Sequence, residues 1–417
     1  MIVCPEPLAA AAGRDIFAAG GNAIDAAVGA AFVQGVTNPL LCGIGGTGLF
    51  YYYDAASRQP VAMNGEVEIG SQPVPAHWPA EFRGRAETIG RYILESEANQ
   101  VGHQSVMTPG FVKVCWDAWR RYGSGKLSWA ELLVPAIQLA RGGYTIYPYI
   151  AAFWRPGVAS DAHDARPGYP ALMAKLHATA GAQEIYLKPD GGVFFDGDQI
   201  ILSDYANTLQ QLADAGGDDF YSGEIARQAA ADFAQHDGLF TATDLRDYVV
   251  IDQEILRSEY RGYEITSPAP PSSGAQVVEM LNILSHFDVS GLGHNSIDYI
   301  DLFARVQRAS FSDNVRLKGI DFDDALEFAS QVTNPQIASY WAERIRNGDR
   351  IVVHGGAVDP GTTHVTVVDE QRNVVSFNHS IGSLAGSGVV TPGLGFLWNN
   401  FLGHFNPLPG HTDSIVP

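Results

Sequence analysis

Gly361-Thr362-Thr363-His364-Val365-Thr366-Val367-Val368-Asp369 sets a threonine hydroxyl directly behind a glycine and at the head of a run of β-branched residues. Such a run is strand-forming. A threonine hydroxyl is a weak nucleophile at neutral pH, and it needs a base, which the residue itself supplies once its α-amine is free. A free α-amine titrates near pH of about 8. Cleavage of the Gly361-Thr362 bond would therefore leave Thr362 as an N-terminal nucleophile carrying its own base. Gly361 suits the precursor, because glycine tolerates a strained turn that exposes its carbonyl to Thr362 Oγ1. The same residues also read as a plain strand edge without chemistry, and the motif alone leaves both readings open.

Working outward, the segment from Thr363 to Phe401 continues with a polar turn, Glu370-Gln371-Arg372-Asn373, and a second β-prone run from Val374 to Asn378, the pattern of a hairpin. Upstream lie Gly20-Gly21-Asn22-Ala23-Ile24-Asp25-Ala26-Ala27, Gly43-Ile44-Gly45-Gly46-Thr47-Gly48, Tyr122-Gly123 through Leu139-Ala140, Phe220-Tyr221-Ser222-Gly223-Glu224-Ile225-Ala226, and Ser267-Pro268-Ala269-Pro270-Pro271-Ser272-Ser273-Gly274. Taken in order, from near residue 5 to residue 406, these segments resemble the γ-glutamyltransferase family of N-terminal-nucleophile (Ntn) hydrolases.

The resemblance implies an α+β fold, the four-layer αββα sandwich. It also implies a precursor whose residues 1–361 form a large-subunit-like segment and 362–417 the start of a small-subunit-like one. Thr362 occupies the nucleophile position. Ser380 stands where the family has a threonine whose hydroxyl bonds to the nucleophile; otherwise it is a polar residue at a strand end. Asn399 and Asn400 match a pair of asparagines that orders the loop lining the pocket, a function shared with simple turn-forming amides. The positions that grip a free glutamyl head depart from the family. Glu66 aligns with the arginine that holds the α-carboxylate, His404 with the acidic residue that binds the α-amine, and Gly382 with a supporting asparagine. A carboxylate at residue 66 repels a carboxylate ligand, so a cationic or hydroxyl-bearing acyl group is expected there instead. Arg58 and Arg83 are the nearest arginines outside the matching segment.

The sequence ends at Val416-Pro417, before the Ser-Ser motif and the Gly-Gly oxyanion pair that the resemblance would place next. Two expectations follow. One is an Ntn acyltransferase or amidohydrolase of altered acyl specificity, nearer to oxamate or cephalosporin acylases, acting on a small amide or peptide. The other is an unprocessed family member that only binds such a ligand. Neither implies a metal or an organic cofactor.

Composition fits a globular enzyme: 417 residues, 46% of them hydrophobic, are enough for a large core. With 26 Lys and Arg against 46 Asp and Glu, the net charge of −20 repels nucleic acid and anionic membranes. No linker, repeat or charge block divides the chain, so one structural domain is expected. Cys4, Cys42 and Cys115 lack metal-type or redox spacing and read as reduced, packed thiols. The first residues lack the basic start and apolar run of a signal peptide, and no apolar span of membrane length occurs, which predicts a cytoplasmic protein.

Asn22 with Asp25, and Ser128 with Glu131, have the spacing of helix caps. The Ala-rich run after Asn22 is apolar nearly all round, as expected of a helix between layers. Leu49 to Tyr53, Ile351-Val352-Val353, Thr363 to Asp369 and Val374 to Asn378 read as strands. Gly43 to Gly48 also satisfies G-x-G-x-x-G, but a dinucleotide site needs a preceding strand and a following helix, and here Asn38-Pro39 precedes while Leu49-Phe50-Tyr51 follows. These glycines instead suit a close approach of backbone to a neighbouring strand. The 12 histidines look scattered, and His404 and His411, seven apart, bring no further support for a metal site. Asp321, Asp323 and Asp324 read as a solvated helix start. His364 reads equally as a structural or a catalytic residue.

Overall fold

The computed structural model describes residues 1–86, 91–154, 172–270, 272–314, 322–353, 362–411 and 414–415, without the side chains of 314, 322–325 and 328. Gly361 and Asp321 lie outside these residues, as do the side chains of Asp323 and Asp324.

Strands β1 (Ile2–Val3), β2 (Thr47–Asp54), β3 (Gln59–Gly65), β4 (Ile251–Gln253), β5 (Thr362–Val368) and β6 (Val374–Ser380) form one sheet in the order β1-β5-β6-β2-β3-β4. The pairs β1/β5, β5/β6, β6/β2 and β2/β3 are antiparallel. Period-2 alternation sets its faces. Val365, Val367, Val375, Phe377 and Phe50 are buried on one face, whereas Thr362 and Asn378 are exposed and His364, Thr366 and Ser376 half-buried on the other.

Helices α1 (Pro7–Ala18), α2 (Ala23–Thr37) and α3 (Phe111–Tyr122) belong with the buried face. All 15 residues of α2 are buried, as its uniform apolarity predicts. Its start carries a capping box: Asn22 accepts from the amides of Ile24 and Asp25, and Asp25 accepts from the Asn22 amide at 3.0 Å. Ser128 and Glu131 repeat that device at α4 (Trp129–Gly142). Helices α5 (Ser203–Ala215) and α6 (Glu224–Gln235) lie further along the same part, with shorter helices between and after them. Sheet and helices together give the expected α+β class.

The described residues fall into two compact units. The first draws on 1–86, 91–252 and 362–407, on both sides of the Gly361-Thr362 bond. The second lies within 253–353 and 408–415. It has its own core, in which Ile283, Val306, Ala309, Trp341 and Ile345 pack between α7 (Gly274–Leu284), α8 (Ile297–Asn314) and α9 (Pro335–Arg346). A separate core makes a separate unit without any linker-like composition. Ile351-Val352-Val353 is not a strand; Ile351 is instead buried in this helical core.

Cys42 and Cys115 are buried and Cys4 half-buried, all as free thiols. No helix among the described residues is long and apolar enough to cross a membrane.

Candidate active site

Register places a row of oxygen-bearing side chains across the end of the sheet. Thr362 pairs with Ser380, and Ser380 with Thr47. Directly paired residues of antiparallel strands share a face, so all three point to the same side. Thr362 is exposed, while Ser380 and Thr47 are buried. Thr47 Oγ1 donates to Glu66 Oε2 at 2.7 Å, which extends the row by one residue. Strands lie about 4.8 Å apart, so Thr362 and Thr47 are separated by roughly 10 Å, with Glu66 beyond.

Glu66 is fixed through its own backbone. Its amide donates to Asn64 Oδ1 at 2.7 Å and its carbonyl accepts from the Tyr248 hydroxyl. Burial pushes the Glu66 carboxyl above its ordinary value, and the Thr47 hydroxyl opposes that rise.

Ser380 Oγ accepts from the Gly382 amide at 2.9 Å. Gly382 has φ +95°, and a Cβ there would sit 2.4 Å from Asn400 Oδ1. Only glycine fits this position. Gly46 serves a close backbone approach, since a Cβ on it would lie 2.0 Å from the Ser380 carbonyl oxygen. The G-x-G-x-x-G run thus lets β2 enter beside β6, and strand Thr47–Asp54 follows it in place of a helix.

Asn399 and Asn400 are fully buried. Asn399 donates to the carbonyls of Gly45 and Met107 at 2.8 Å each and accepts from the Met107 amide at 3.1 Å. Asn400 accepts from the Ser383 amide at 3.0 Å and donates to the Gln100 carbonyl at 3.0 Å and to Ser383 Oγ at 2.8 Å. Their amides bind protein groups and stitch three loops together, which makes them organisers of the site's wall. His364 has both ring nitrogens engaged: Asn378 Oδ1 lies 2.6 Å from Nδ1 and Thr366 Oγ1 2.7 Å from Nε2.

Behind Thr362 runs a buried polar chain. Gln34 Nε2, on α2, donates to Glu6 Oε2 at 2.5 Å and to Thr363 Oγ1 at 3.0 Å, and its Oε1 stands 3.0 Å from His379 Nε2. Asn38 Nδ2 donates to the other Glu6 oxygen at 2.7 Å. Burial lowers the His379 pKa to about 3, with His364 adding to the effect, so the ring is neutral and donates from Nε2 to Gln34. This network fixes the residue next to the nucleophile position.

A gamma-glutamyltranspeptidase family model matches residues 9–416. The chain is an enzyme of the gamma-glutamyltranspeptidase family. It is 34% identical over 431 residues to the Acylase ACY 1 proenzyme of Pseudomonas sp. strain V22, covering 100% of this chain and 71% of the acylase. Identity to the glutathione hydrolase proenzyme of Bacillus subtilis strain 168 is 30% over 438 residues, covering 100% of this chain and 70% of the relative. Among solved structures, the cephalosporin acylase of Bacillus halodurans aligns with a TM-score of 0.77 at 26% identity, over 100% of this chain and 72% of that one. The Helicobacter pylori gamma-glutamyltranspeptidase, at 24% identity and a TM-score of 0.67, covers 86% of this chain and 93% of its own and shares the Ntn-hydrolase fold.

Within this gamma-glutamyltranspeptidase framework, one functional candidate escaped the sequence reading. Arg91 is fully buried, donates from Nη1 to the Asn400 carbonyl at 3.1 Å, and brings Nη2 to 3.4 Å from where a Gly382 Cβ would be. Its Nη1 stands equally close, at 3.1 Å, to a Cβ built on Gly403, beside the half-buried His404. The structure therefore gathers Gly382, Asn400, Gly403 and Arg91 at one place. Arg83 instead pairs with Glu95 on the surface, and Arg58 occupies the exposed turn between β2 and β3. Only contacts distant in sequence distinguish Arg91 from these two.

Proposed function

We propose that this chain is a proenzyme that cleaves itself before Thr362 and then hydrolyses or transfers an amide-linked acyl group other than a free γ-glutamyl group. In processing, Thr362 Oγ1 adds to the Gly361 carbonyl carbon and the peptide C–N bond breaks as an ester forms. Water then opens that ester, leaving a Gly361 carboxylate and a free Thr362 amine. In turnover, Oγ1 attacks the substrate carbonyl, its proton passes by way of the α-amine to the leaving amine, and water or a second amine takes the acyl group from Thr362. The proenzyme names of the Pseudomonas acylase and the Bacillus glutathione hydrolase support the processing step.

The observation that carries the specificity reading is the Thr47–Glu66 hydrogen bond at the end of the row that begins at Thr362. An acid held there disfavours an incoming α-carboxylate and suits a hydroxyl or a cation.

Intact mass spectrometry paired with an acyl-anilide panel tests both parts. Two species, the lighter beginning at Thr362, with turnover of hydroxyacyl or aminoacyl anilides exceeding that of γ-glutamyl anilide, are expected. Efficient γ-glutamyl anilide turnover would sink the specificity reading, and a single uncut species without turnover would favour a binding-only protein.

A further inference from the structure

Three groups of metal-binding type converge away from the Thr362 row. Asp232 lies on the last turn of α6, and His236, four residues later, is its C-terminal cap. A spacing of four puts both on one helix face. The short turn His103–Ser105 brings His103 to the same point. Its Nε2 is 3.2 Å from Asp232 Oδ2, and His236 Nδ1 is 3.1 Å from Asp232 Oδ1. The two imidazoles stack with centroids 4.3 Å apart and planes 14° from parallel. One donor atom from each residue falls within 4.8 Å of the others.

The 3.1 and 3.2 Å histidine–carboxylate separations are of coordination-shell size, and turning the exposed His236 ring out of the stack brings the third donor in. Bonds of about 2.0–2.1 Å to a tetrahedral ion put neighbouring ligand atoms roughly 3.4 Å apart. Two imidazoles and one carboxylate are the donor set of borderline transition metals, which leaves open positions for water. The carboxylate is oriented from behind: Thr391 Oγ1 donates to Asp232 Oδ2 at 2.6 Å and itself accepts from Trp398 Nε1 at 3.1 Å. Supporting bonds of this kind are what hold metal ligands in place. The carboxylate and His103 are nearly buried, whereas the His236 side chain is 53% exposed, so solvent and an ion reach the cluster from that side. His236 Nδ1 also lies 2.9 Å from the Asp232 carbonyl, a contact the ring gives up when it turns toward an ion.

We propose that His103, Asp232 and His236 bind one divalent transition-metal ion of the Zn²⁺ type. The ion is a staple and takes no part in the chemistry at Thr362. It joins α6 to the turn at 103, and through Thr391 and Trp398 it braces the loop that ends in Asn399 and Asn400. The Gly102 amide, which donates to the Ser387 carbonyl at 2.9 Å, ties the same turn to that loop.

The test uses the full chain, free of any affinity tag and stripped with EDTA, titrated with ZnCl₂ by calorimetry and with CoCl₂ by visible absorption. Wild type should take up one equivalent, show cobalt ligand-field bands, and unfold at higher temperature with zinc. His236→Ala, at a half-exposed position, and His103→Gln, which keeps a donor to Asp232, should each weaken zinc binding by roughly tenfold or more. Their metal-free melting curves establish that they fold. Loss of the equivalent in either folded variant supports the site. No uptake by wild type, or uptake unchanged in both variants, overturns it.

Discussion

Thr362 and Ser380 are direct register partners across β5 and β6, which sets their side chains on one face at the end of the sheet. Thr362→Ala should give one uncut species on intact mass spectrometry and no turnover. Because Thr362 is exposed, its stability should stay within about 0.5 kcal/mol of the parent in chemical denaturation. Thr362→Ser should still process. Ser380→Ala should slow turnover by about a hundredfold, the usual scale for losing one hydrogen-bonding group at a reacting centre, and Ser380→Thr should restore most of it.

Gly382→Ala tests the backbone behind Ser380. With φ +95° and only 2.4 Å between the new Cβ and Asn400 Oδ1, the substitution should cost roughly 1–3 kcal/mol in urea titration. Gly46→Ala should cost more, since its Cβ meets a carbonyl oxygen of the central strand and neither backbone can retreat without breaking sheet hydrogen bonds. Equal stability of either variant with the parent would contradict the close approach.

The buried chain from Glu6 through Gln34 to His379 makes the fold acid-sensitive. His379 titrates near 3 when folded and near about 6.5 when unfolded. Its contribution to stability is therefore complete above pH of about 6.5 and is lost as pH falls toward 3, by up to about 1.4 kcal/mol per pH unit. Gln34→Leu should destabilise by about 2–4 kcal/mol, because Glu6 and Thr363 both lose a buried partner. In His379→Gln, the slope of stability against pH between about 4 and 6 should flatten. An unchanged slope would remove His379 as its source.

The second unit carries a group of opposite sign. Burial, reinforced by the neighbouring Asp313, pushes Glu279 up to about 9. The folded chain keeps that proton at pH 7 while an unfolded carboxyl, titrating near about 4.3, releases it. Stability from this site is thus full below pH of about 4.3 and declines as pH rises toward 9. Glu279→Gln should match the parent at pH 4 and exceed it at pH 8, as read by melting temperature. A parent more stable than the variant at pH 8 would place the proton elsewhere.

What could be read from sequence was local. The Asn22 and Ser128 caps, the uniformly apolar α2, the hairpin of β5 and β6, and the strand that follows Gly48 all depend on residues within a few positions of one another. The row Thr362–Ser380–Thr47–Glu66 needed register, which joins residues over 300 positions apart, and no periodicity carries that. Arg91 looks like any other arginine until Gly382 and Gly403 are seen against its guanidinium. The helical core of the second unit was hidden for a related reason: its boundary is marked by packing and by no change of composition. His103, Asp232 and His236 left one local trace, the four-residue spacing of the last two, and that spacing is common on helices without meaning.

Strand β5 pairs with β6 from Thr362 to Val368 and with β1 at Thr366 and Val367, and Gln34 grips Thr363 from beneath. The residue that the proposed cleavage would make a chain end is thus located by Ser380 beside it and by the anchored Thr363 next to it. Covalent continuity at that point should therefore be dispensable for architecture. Residues 1–361, and a second polypeptide starting at Thr362 and carrying the rest of the gene product, should reassemble when made separately, with the nucleophile seated from the outset and no maturation step left to perform.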